Sequence, residues 1–160
     1  MKSDLADLFR NLLLSLRQFG EAHAPVTLAL RDRLALVISA NVRVAPDYAW
    51  ELVEPRIRAA LLRDYGFARI RLGRDLVLAG AIAAIQGIAG VDYVDVDVFD
   101  TVTETQLLAQ FGTSSAATLV RRERLAVAEA RLERGIVRPA QIAYLTPEVP
   151  DTLILKEITS

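Results

Sequence analysis

The chain has no cysteine, which excludes disulfides and thiolate metal centres and suits a reducing compartment. Its single histidine, His23, is the only imidazole for metal or triad chemistry. It lies between Glu21 and Pro25, nothing in the sequence orients it against a nucleophile, and it reads as a surface or cap residue. No apolar run approaches the roughly 20 residues that cross a bilayer, because Arg or Asp interrupts every stretch, so no membrane insertion is expected. A secretory leader is not expected either, since Asp4, Asp7 and Arg10 fall inside the apolar part of the N-terminus. Lysine appears only as Lys2 and Lys156, and arginine supplies the remaining cations. The formal net charge of -1 gives no long-range attraction for a phosphate backbone, so no nucleic-acid partner is expected.

What the chain has is aliphatic. Of its 160 residues 52% are hydrophobic while only 6% are aromatic, and the mean hydropathy is +0.29. That length suits one domain with a well-filled core, and the surplus implies apolar surface awaiting a partner. Ser3 is placed to cap a first helix in which Leu5, Leu8, Phe9, Leu12, Leu13, Leu16 and Phe19 recur at helical spacing, with Gly20 as its stop. Such a stripe reads as a core face. Residues 26–30 form a short strand candidate, Arg31, Asp32 and Arg33 mark a turn, and residues 34–44 alternate as a long strand, with Asn41 suiting a bulge. Asp47 is placed to cap a helix running to about Tyr65, kinked at Pro55, with Trp50, Val53, Ile57 and Leu61 inward.

Residues 69–99 change hydrophobic period twice. Residues 67–72 read as a short extended segment and Gly73 closes it. Val77, Ala81, Ile82 and Ile85 then recur at helical spacing until Gly87 and Gly90, after which Val94, Val96 and Val98 alternate with Asp95 and Asp97 as a half-buried strand does. Beyond Asp100, residues 101–105 and 112–115 read as loops around a weak LLAQF segment. A helix capped by Ser114 or Ser115 is expected to run to about Glu133, ended by Gly135. Residues 139–145 and 153–158 read as a C-terminal hairpin. The expected organisation is an N-terminal amphipathic helix (1–23), an α+β core (24–100), a variable helical insertion (101–135) and C-terminal strands completing the core (136–160). The fold class is α+β, a small mixed or antiparallel sheet covered by helices.

Chemistry finds little support. Asp95 and Asp97 share a strand face and are the best acid–base or divalent-cation candidate, but no histidine or second carboxylate cluster accompanies them, so they read as the polar face of an amphipathic strand. Gly80, Gly87 and Gly90 follow helical residues instead of opening a helix after a strand, so no phosphate-cradling loop is present. No cofactor, metal or catalytic residue is expected. Arg69, Arg71 and Arg74, followed by Asp95 and Asp97, form a charged candidate partner interface.

Taken together, VRVAPDYAWELVEPRIRAALLRDYGFARIRLGRDL, LAGAIAAIQGIAGVDYVDVDVF and PAQIAYLTPEVPDTLILKEI resemble the C-terminal region of baseplate J-like proteins. The likeness covers most of residues 12–158 and is weakest over 101–134; members of that family are usually longer. The resemblance implies a non-enzymatic wedge component of a contractile phage tail or related injection particle. Its implied partners are other wedge and tail proteins and further copies of itself, with synthesis in the bacterial cytoplasm and assembly into a virion or tail-like particle. The alternative from another class is a free-standing small-molecule-binding or regulatory α+β domain, which a concave pocket with convergent polar groups would distinguish. A metal-dependent enzyme using Asp95 and Asp97 is a third, weaker reading.

Overall fold

The computed structural model describes residues 2–21, 25–110 and 118–159; His23 and the Ser114 or Ser115 cap lie outside the described residues. In chain order the elements are α1 (Lys2–Phe19), β1 (Asp32–Val44), α2 (Trp50–Tyr65), β2 (Leu76–Val77), α3 (Leu78–Gln86), β3 (Val91–Thr103), α4 (Glu104–Gln110), β4 (Arg124–Leu125), β5 (Arg131–Glu133), β6 (Ile136–Arg138), β7 (Gln141–Tyr144), a 3-10 turn (Pro150–Thr152) and β8 (Leu153–Glu157). This is the α+β class, with a mixed sheet.

β1 is the centre of that sheet. It pairs antiparallel with β3 along one edge, and along the other it pairs in parallel with β7 over Asp32–Ala35 and with β8 over Ile38–Val42. The two C-terminal strands are therefore not a hairpin. They lie end to end as one interrupted strand, because each finds its hydrogen bonds on β1 and the proline-bounded segment between them loops away from the ladder.

The alternation in β1 puts Leu36, Ile38, Ala40 and Val42, all fully buried, on one face. Against it pack Val53, Ile57 and Leu61 of α2 and Leu78, Ala81 and Ile85 of α3. α2 runs unbroken through Pro55 and begins at Trp50 after Ala49, which makes no side-chain cap, so the expected cap at Asp47 is corrected. Its entry is set instead by packing: Gly90 has φ +99°, and a Cβ there would meet the Tyr48 ring at 2.6 Å and Val53 at 2.9 Å. Val77 is half-exposed and precedes α3 instead of joining its stripe.

β3 corrects the simple alternation. Ser39 pairs with Val98 but Ala40 pairs with Val96, so Asp97 is an extra residue, a bulge on β3 and not on β1. Val96 and Phe99 are buried in the core while Val98 moves to the opposite face, opposite Ser39. β3 also runs on through Thr103, so the expected loop at 101–105 begins as strand.

Other expectations fail for tertiary reasons. Residues 26–30 have no regular structure, Asp32 and Arg33 belong to β1, and residues 67–72 form no strand, with turns at 67–69 and 72. Within the expected insertion helix, the described residues 118–133 are extended: Leu125 pairs with Leu76, and Leu125 and Val127 join the core. Pairing with β2 outweighs a helical periodicity of modest strength. Gly135 closes a hairpin of β5 and β6 in which Arg134 and Gly135 both have positive φ, 51° and 79°. That pair of positive φ values is what the twist of a two-residue hairpin favours.

Candidate interaction surface

α1 buries none of its described residues. Leu8 is 60%, Leu12 49% and Phe19 81% exposed, so the stripe expected to be a core face is instead surface. Leu5, Phe9, Leu12, Leu16 and Phe19 follow the alternating four and three spacing of a coiled-coil seam, on a helix about 27 Å long at 1.5 Å per residue. A contiguous apolar stripe of that length is far larger than the scattered apolar residues normal on a surface. The hairpin of β5 and β6 adds a second exposed apolar spot, Leu132 opposite Val137, which the helical reading of this segment concealed.

The sheet face opposite the core is charged over its β3 half. Asn41 Nδ2 donates to both carboxylate oxygens of Asp97 at 2.8 Å, which pins the bulge. A second register shift, at Asp92, has Arg43 Nε 3.8 Å from that carboxylate. Arg121 Nη1 lies 3.4 Å from Asp95 Oδ1 and donates to the Val96 carbonyl at 3.3 Å. Asp95 and Asp97 do share this face, as expected, but each is engaged by a cationic or amide donor, and among the described residues no three carboxylate or histidine groups cluster to hold a metal. Asp100 is the buried member, and sequence spacing gave no hint of its role. Its carboxylate accepts from the backbone N–H groups of Thr101 (2.9 Å) and Val120 (3.2 Å) and from Arg122 Nε (3.0 Å), tying residues 120–122 to the edge of β3. Replacing Asp100 with alanine strands these donors and is expected to cost about 3 kcal/mol in urea denaturation, with faster amide exchange at Val120.

The basic half of the expected interface lies elsewhere. Arg69, Arg71 and Arg74 are exposed on the connection between α2 and β2. Arg69 and Arg74 line an open cleft with Asp64, Tyr65, Asp75, Val77 and Gly80 on the helical side, whereas Asp95 and Asp97 occupy the opposite side of the sheet. The two halves therefore form separate surfaces. Asp64 is held below the ordinary carboxylate range by hydrogen bonds from Arg63 at 2.8 and 3.0 Å, opposed by some desolvation and aided by the charges of Arg63 and Arg69.

None of the described helices is long and apolar enough to cross a membrane. Compared with known proteins, the chain matches no family model, no curated protein and no solved structure.

Proposed function

We propose that this chain is a structural component of a contractile tail or injection-particle baseplate wedge that acts by protein–protein docking and not by catalysis. The observation carrying the reading is the exposed apolar stripe of α1, which has no covering partner in the described fold and would gain apolar burial on a neighbouring subunit. The ordered resemblance of residues 42–99 and 139–158 to the C-terminal region of baseplate J-like proteins supplies the kind of assembly. In such docking, buried aliphatic area supplies affinity, and charged rims such as the Asp92, Asp95 and Arg121 face supply register. Partners are other wedge and tail proteins together with further copies of the chain, and the product of assembly is a virion or tail-like particle made in a bacterial cytoplasm.

The test is purification of contractile particles from cells that make this protein. Quantitative mass spectrometry is expected to find the chain in a fixed ratio to the sheath protein after high-salt washing. Intact contractile particles from which it is absent would overturn the reading.

A further inference from the structure

Tyr65, the last residue of α2, is about nine-tenths buried and lines an open cleft of about 380 Å³, with its hydroxyl beside Gly80. The hydroxyl has no hydrogen-bond partner among the described residues, and it is not sealed from solvent. Gly80 of α3 keeps the space beside it open, since a Cβ on that residue would stand 2.8 Å from the Tyr65 oxygen. A phenol so placed is a fixed donor available to solvent or to a ligand in the cleft.

The cleft's charges indicate what that partner is. Its two carboxylates already have partners: Asp64 pairs with Arg63, and Asp75 pairs with Arg124 at 3.5 Å and accepts from the Val127 N–H at 2.9 Å. Arg69 adds only a 3.8 Å approach to Asp64, and Arg74 has no acidic partner among the described residues. Arg69, Arg74 and Tyr65 therefore line one opening with donors to spare, and Ile70, Leu76 and Val77 provide an apolar wall. Planar guanidinium donors match the two oxygens of a carboxylate. We infer that this cleft binds a carboxylate-bearing ligand, with Tyr65 Oη and Arg74 donating to its oxygens and its aliphatic part lying on Val77. Burial, and secondarily the charge of Asp64, pushes the Tyr65 phenol above its ordinary range. The inference does not rest on the docking role of α1, and a free small acid as the ligand would favour the alternative of a small-molecule-binding domain.

The test is an amide-resolved NMR titration of the full chain with sodium succinate, with acetyl-Gly-Glu-Gly amide, with sodium phosphate, and with sodium chloride at matched ionic strength. Saturable shifts confined to residues 65, 69–77 and 80 are expected with a carboxylate probe. Response to succinate identifies a free small acid as the source, and response to the peptide alone identifies a protein side chain. Tyr65→Phe keeps the buried ring, and Arg74→Gln changes an exposed residue; each removes a donor to a charged group and is expected to weaken the carboxylate about tenfold. The inference is overturned if neither carboxylate gives saturable shifts, if phosphate binds as tightly, if chloride reproduces the shifts, or if either variant binds unchanged.

Discussion

Replacing both Leu12 and Phe19 with glutamate is expected to leave the melting temperature within about 2 °C of the parent while cutting incorporation into particles by at least a hundredfold. The first half follows from exposure: surface substitutions away from packed contacts change stability by roughly 0.5 kcal/mol or less. The two side chains are 49% and 81% exposed in the isolated fold. The second half follows from what docking would bury. A fully buried Leu or Phe contributes about 1.5–3 kcal/mol, and a carboxylate in its place adds a desolvation penalty, so two such losses exceed the 2.7 kcal/mol that a hundredfold represents. Differential scanning calorimetry and quantitative particle proteomics read the two halves separately. A large loss of stability would mean that the stripe packs within the fold after all, and unchanged incorporation would mean that α1 is not the docking face.

The second large effect concerns the bulge in β3. Phe99→Ala is expected to destabilise the fold by about 3–5 kcal/mol, because a fully buried aromatic is lost from the core and leaves a cavity. Val98→Ala is expected to cost less than about 1 kcal/mol, since Val98 stands half-buried on the opposite face, opposite Ser39. Against a total stability of about 5–15 kcal/mol, the first change removes roughly a fifth or more and the second is barely felt. Chemical denaturation of the pair measures the register directly. An uninterrupted alternation through Val94, Val96 and Val98 would reverse the order of the two costs.

Where a signal was local, the sequence was legible. The period-two run of β1, the stripe of Val53, Ile57 and Leu61 in α2, and the positions of β7 and β8 are set by side chains a few residues apart, and each lies where that spacing puts it. The bulge at Asp97 was hidden because one extra residue inverts every later side chain, and its stabilising partner, Asn41, lies 56 residues away. The extended path of residues 118–133 was hidden because Leu119, Val120, Val127 and Ala130 also satisfy a helical spacing; the choice was made by β2 and by Gln141, whose side chain accepts the Ala128 N–H at 3.0 Å. Arg69, Arg71 and Arg74 were visible as a basic run, but the Tyr65 hydroxyl and the gap at Gly80 that join two of them to a cleft were not.

Taken alone, then, the order of residues settled the α+β class, the central long strand with its helical cover and the surplus of aliphatic side chains, because composition and short-range periodicity decide which segments have a face to bury. Tertiary structure alone decided that α1 keeps its stripe on the surface, that the C-terminal strands run parallel along β1, and that the acidic and basic residues form two surfaces instead of one. These outcomes depend on which distant backbone edge or apolar face wins each segment, a competition between contacts that spacing along the chain does not encode.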